Sequence, residues 1–67
     1  MIMLKTVAEI LDENNLSIMQ AANIAEVSYN TVYSWYTGRR TPGMTEYGNF
    51  VTKLFKGGYI NGFVKVD

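Results

Sequence analysis

Apolar and polar positions alternate along this chain with helical spacing for most of its length. Leu4, Val7, Ala8 and Leu11 recur at intervals of three and four, with Lys5, Glu9, Asp12 and Glu13 on the other side. Residues so spaced share one face of a helix, which predicts an amphipathic first helix over about residues 3–14, ended by Asn14-Asn15. Ser17 and Gln20 then form an S-x-x-Q capping box, with Leu16 placed to staple against Ala21, so a second helix starts at a well-marked point. Its inner face, Ile18, Ala21, Ala22 and Ala25, is narrow and small, which lets another helix approach closely.

The pattern breaks at Glu26-Val27, and Ser28 is a good N-cap for a third helix running to about Tyr36 or Thr37. On a helical wheel Val32, Trp35 and Tyr36 share a side with Ser28 and, at its edge, Tyr29. Asn30, Thr31, Tyr33 and Ser34 fall on the opposite, polar and uncharged side. Gly38 is placed to cap this helix, and Arg39-Arg40-Thr41-Pro42-Gly43 is a basic loop that cannot continue it.

Met44, Tyr47, Val51, Leu54 and Phe55 predict a fourth helix ending before Gly57-Gly58. Residues 50–55 also suit a strand that would pair with 59–66 as a hairpin; their lack of clean alternation favours the helix. The tail Tyr59-Ile60-Asn61-Gly62-Phe63-Val64-Lys65-Val66-Asp67 is the best strand candidate, with Asn61-Gly62 able to turn tightly. So short a strand is unstable alone, and is expected to pack on the helices or pair with the same segment of a second subunit. The expected architecture is a single domain over residues 1–67, mainly α, a small helical bundle with a short C-terminal β-strand or hairpin.

Composition narrows what such a bundle can do. A chain of 67 residues buries only about 60% of the surface its unfolded form exposes, so its core is marginal and help from dimerisation is plausible. With no cysteine and no histidine, it lacks disulfides, thiolate nucleophiles, the usual zinc ligands and the side chain best suited to proton transfer near neutrality. No Gly-rich phosphate loop is present either, so the chain is not expected to be an enzyme and no cofactor is implied. The apolar start is broken by Lys5 and Glu9 and has neither a signal-peptide core nor the length of a membrane span, which points to a cytoplasmic protein without a membrane partner.

Six basic and six acidic residues cancel, but they are unevenly placed. Residues 1–28 hold Lys5 against Glu9, Asp12, Glu13 and Glu26, a balance of −3. Residues 29–67 hold Arg39, Arg40, Lys53, Lys56 and Lys65 against Glu46 and Asp67, a balance of +3. Glu9, Asp12 and Glu13 read as a solvated face rather than a cation site, and Lys53 and Lys56 likewise as solvated.

Two helices joined by a three-residue turn, the second leading into a basic loop, match the helix-turn-helix arrangement, in which the second helix enters a DNA major groove. Residues 16–43, Leu-Ser-Ile-Met-Gln-Ala-Ala-Asn-Ile-Ala-Glu-Val-Ser-Tyr-Asn-Thr-Val-Tyr-Ser-Trp-Tyr-Thr-Gly-Arg-Arg-Thr-Pro-Gly, resemble the helix-turn-helix core of the phage repressor and Cro family, with the motif over about residues 17–37. Ala22 stands at the family's small-residue position, Val27 at the apolar position after the turn, Val32 at the core position of the recognition helix, and Gly38 to Pro42 at its basic loop. Glu26 stands where the family usually has a turn glycine, and Tyr36 where it often has glutamate. The first of these departures implies a non-glycine residue with positive φ, at a cost on the order of 1 kcal/mol.

The resemblance implies a sequence-specific DNA-binding transcriptional regulator, of phage or prophage type, that reads an operator through residues 28–37. Matched by position, the base-reading residues are Ser28, Tyr29, Asn30, Tyr33 and Ser34. By chemistry, Asn30 can pair bidentately with adenine, Thr31 and Tyr33 can meet a thymine methyl or a phosphate, and Arg39 and Arg40 suit the DNA backbone. A monomer contacts few bases, so a two-fold homodimer on double-stranded DNA is expected, with Tyr59, Ile60, Phe63 and Val64 as the dimer contact. The alternative is a helix-turn-helix turned to protein binding, such as an antirepressor or an inhibitor of a host protein, because aromatic residues on an uncharged surface also make interface hot spots.

Overall fold

The computed structural model describes residues 2–66. In chain order it contains β1 (Ile2–Leu4), α1 (Val7–Glu13), α2 (Ile18–Ala25), α3 (Tyr29–Thr37), α4 (Met44–Lys56) and β2 (Val64–Val66). The four helices enclose the core, and the two strands form a small antiparallel sheet with Ile2 opposite Val66 and Leu4 opposite Val64.

The first helix starts later than its apolar spacing implies. Thr6 caps it: its Oγ1 accepts the Glu9 N–H at 3.1 Å, and the Glu9 carboxylate accepts the Thr6 N–H at 2.9 Å. This reciprocal box satisfies two of the orphan donors of the first turn, so residues 2–4 are released to pair with β2. Leu4, expected on the helix face, is therefore an exposed strand residue, and the buried face of α1 is Val7, Ile10 and Leu11.

The second, third and fourth helices lie where the pattern predicts them. Ser17 and Gln20 exchange hydrogen bonds at 2.9 and 3.0 Å, and Ala21, Ala22 and Ala25 form the buried face of α2. Their small size lets α2 pack against both α3 and α4. Val32 and Trp35 come from α3, and Phe50, Val51 and Leu54 from α4; Trp35 meets the Phe50 ring edge to face at 5.6 Å and 87°. Met44 and Phe55, predicted on the inner face of α4, are exposed.

The tail makes no hairpin. Beyond α4 the chain closes with Gly58 at φ +78°, sets Ile60 into the core, and returns as β2 against β1 of the same chain. A Cβ at Gly57 would stand 2.5 Å from the Tyr59 ring, so a side chain there requires that exposed ring to shift. Tyr47 secures this return: its hydroxyl donates to the Lys5 carbonyl, and its ring meets Phe63 at 6.4 Å. Burial raises the Tyr47 pKa above its ordinary value, which keeps the phenol a donor. Among the described residues no helix is long and apolar enough to cross a membrane.

Candidate nucleic-acid interface

The site is assembled by the way α2 ends. Val27 N–H bonds the Ala22 carbonyl at 3.0 Å and Glu26 N–H bonds the Asn23 carbonyl at 3.4 Å, the paired closure of a Schellman motif, with Glu26 left-handed at φ 57°, ψ 42°. Asn15 closes α1 in the same way at φ 55°. Asparagine tolerates this region by local hydrogen bonding, whereas glutamate has no such compensation. Here the support comes from α4: Lys53 Nζ donates to the Ala25 carbonyl at 3.1 Å and lies 3.5 Å from the Glu26 carboxylate. A cation on the last carbonyls of α2 also complements the helix dipole. Lys53, expected to be merely solvated, thus joins α4 to the α2–α3 turn.

The turn delivers α3 with its cap already engaged. Ser28 Oγ accepts the Thr31 N–H at 3.2 Å and lies 2.7 Å from Thr31 Oγ1, so one hydrogen bond joins the two hydroxyls. Val32 and Trp35 anchor the inner side, and Tyr36 reaches α1, donating from its hydroxyl to Asp12 at 2.8 Å. That bond to a carboxylate raises the Tyr36 pKa and holds the phenol protonated. Thr37 folds its hydroxyl back onto the Tyr33 carbonyl, and Gly38 ends the helix at φ 81°, a conformation that only glycine adopts without strain.

The outer side of α3 carries the candidate readers. Tyr29 and Tyr33, one helical turn apart, are 47% and 41% exposed, and their rings stack at 6.2 Å and 14°. Asn30 is exposed beside them; Thr31 and Ser34 are half-buried. Tyr29, placed by the helical wheel at the edge of the inner side, therefore belongs to the outer face.

Among the described residues the ion pairs engage Lys5, Lys53 and Lys65 and leave exposed the arginines of the following loop and Lys56 at the end of α4. Lys5 pairs with Glu13 at 2.6 Å, Lys65 with Glu9 at 2.8 Å, and Lys53 with Glu26, which ties both Lys53 and Lys65 of the basic half to the acidic one. Among the described residues Arg39 and Arg40 form no ion pair, and both are exposed. The acidic face of α1, expected to be solvated, is engaged throughout: Glu9 with Thr6 and Lys65, Asp12 with Tyr36, Glu13 with Lys5. Lys65 and the Thr6 cap together hold the Glu9 carboxyl down from about 4.5 to about 2.

The expected dimer contact is divided by the structure. Tyr59 and Val64 are exposed, but Ile60 is a core residue at 4% exposure, and Phe63 is half-buried against Tyr47. The apolar surface lies instead on one side of the ribbon, where the cross-strand pairs Ile2–Val66 and Leu4–Val64 project together. Ile2 and Val66 are 73% and 76% exposed. Leu4 continues this surface into a cleft of about 450 Å³ over Val7 and Trp35, with Met44 and Arg40 also on its walls. The face shared by Ile2, Leu4 and Val66 is not legible in the sequence because its alternation spans two strands at opposite ends of the chain. No family model, curated protein or solved structure matches this chain.

Proposed function

We propose that the chain is a small sequence-specific DNA-binding regulator of helix-turn-helix type, in which α2 braces α3 and α3 enters the major groove of an operator. It would act in the cytoplasm by occupying that site, as the resemblance to the phage repressor and Cro family implies. The observation that carries the reading is the pairing of surfaces at α3: an exposed, uncharged face of Tyr29, Asn30 and Tyr33, followed at once by two exposed arginines. Base edges are met by amide and apolar groups, and phosphates by flanking cations.

Specific binding by so small a module calls for two half-sites about one helical turn, roughly 34 Å, apart. The aliphatic face of Ile2, Leu4, Val64 and Val66 supplies a surface on which two copies can meet, replacing the contact expected from Ile60 and Phe63.

Selection of bound duplexes from a random library, at moderate salt and beside an Arg39→Ala, Arg40→Ala variant, tests the reading. A pseudo-palindromic motif that the variant fails to enrich is the expected result; no enriched motif overturns it. A second reading, a protein-binding module, is favoured by the stacked Tyr29–Tyr33 pair and the zero net charge. Salt separates the two, because DNA affinity falls steeply with ionic strength and a contact made by tyrosines does not.

A further inference from the structure

The residues left exposed on α3 restrict which base pairs it can read, given the DNA-binding reading above. Guanine is recognised in the major groove chiefly by bidentate Arg or Lys at O6 and N7, and the cytosine N4 amine by a carboxylate. From Tyr29 to Thr37 there is no Arg, Lys, Asp or Glu, and no Gln. The fold then engages several of the hydroxyls: one hydrogen bond joins Ser28 to Thr31, Thr37 donates to the Tyr33 carbonyl, and Ser34 is half-buried.

Beside the exposed Ser28 cap, what projects outward is one carboxamide, Asn30, and two stacked rings with their phenolic hydroxyls. An asparagine amide matches adenine, donating to N7 and accepting from the N6 amine. An aromatic ring offers the apolar contact that the thymine C5 methyl makes and that cytosine lacks. The ring centroids stand 6.2 Å apart, close to two base-pair rises of about 3.4 Å each.

We infer that this face is built for A·T pairs: Asn30 takes an adenine, and Tyr29 and Tyr33 meet thymine methyls about two steps apart at the centre of each half-site. The arginines of the following loop contribute affinity without sequence preference, so base choice rests on these three side chains.

The test uses the full chain and the best duplex from the library selection. Replacing thymine by deoxyuridine removes only the methyl, and replacing adenine by 7-deazaadenine removes only the N7 acceptor. Uridine at two positions per half-site is expected to weaken binding about fourfold each, the worth of one buried methyl group. Deazaadenine at one position is expected to weaken it about tenfold. The uridine effect should vanish in Tyr29→Ala, Tyr33→Ala, and the deazaadenine effect in Asn30→Ala. A selected half-site with G·C pairs at its centre, or indifference to both analogues, overturns this inference and leaves the proposed function standing. A library that yields no motif overturns the proposed function itself, and this inference with it.

Discussion

Two uncharged surfaces lie outside the core, and they differ in what they demand of a partner. The outer face of α3 mixes apolar rings with a carboxamide and two phenolic hydroxyls; the ribbon face is aliphatic at all four cross-strand positions. The first can satisfy polar groups on whatever it touches, so it suits the donor and acceptor pattern of a groove floor. The second can satisfy none, and is stabilised only by another apolar surface. Charge completes the contrast. Two exposed arginines border α3, whereas Lys65, on the opposite side of β2 from the aliphatic face, is drawn to Glu9.

The largest effect is expected from breaking the ribbon face. Ile2→Glu with Val66→Lys converts a cross-strand pair to opposite charges, which preserves strand pairing while making the surface polar. On the proposed reading of a dimeric DNA-binding protein, the variant should sediment as a monomer with unchanged helicity, and its affinity for the selected duplex should fall more than about a hundredfold, as one half-site is given up per binding event. Wild-type chain that is already monomeric while bound to its operator would sink this assignment. Next comes the border of the other face: Arg39→Ala with Arg40→Ala should lower the slope of log affinity against log salt by about two, one for each phosphate no longer neutralised. An unchanged slope would place both arginines off the backbone.

Smaller effects probe the turn and the sheet that carry the two faces. Glu26→Gly relieves the left-handed glutamate and forfeits an exposed ion pair with Lys53 that contributes about 0–1 kcal/mol. A net gain of about 0.5–1 kcal/mol, seen as a melting temperature several degrees higher, is expected. A lower melting temperature would mean that the Lys53 ion pair outweighs the strain. The smallest change concerns Glu9, which joins the α1 cap to β2. Its carboxyl stays ionised in the folded chain down to about pH 2 but takes up a proton near pH 4.5 when unfolded. Between those values the unfolded state binds more protons, so this contribution to stability is present above pH 4.5 and is lost as pH falls towards 2. Glu9→Gln retains a capping acceptor and should flatten the stability profile within that window alone; a profile as steep as wild type would assign the acid sensitivity elsewhere.

Much of this architecture is written locally. The Ser17–Gln20 box, the Ser28 cap and the Gly38 stop each act within one turn of their own residue, so α2 and α3 are readable from spacing. The left-handed Glu26 was foreseeable from its place in the helix-turn-helix pattern that residues 16–43 resemble. The start of α1 was equally available: Thr6 and Glu9 form the same box as Ser17 and Gln20, but the apolar run from Ile2 to Leu4 obscured it. That run is stabilised as a strand by residues 64–66, and no periodicity within a short window can show a partner so far along the chain. The same distance explains Ile60 and Lys53. The first is core because the tail folds back, and the second reaches the α2 carbonyl across the bundle. On the candidate interface, sequence supplied the residues, but the mutual engagement of Ser28 and Thr31 and the stacking of Tyr29 on Tyr33 emerge only in three dimensions.

The pairing of β1 with β2 also sets an order of events in folding. Bringing residues 2–4 to residues 64–66 closes a loop of nearly the whole chain, at an entropic cost that grows as the logarithm of loop length, whereas each helix forms from neighbours. The ribbon is thus expected to form last and open first, and its amides should exchange with solvent through local opening well below the global unfolding free energy. If two copies meet on that ribbon, its protection becomes dependent on protein concentration, and so does that of the α2 and α4 cores, whose global unfolding must also part the two copies.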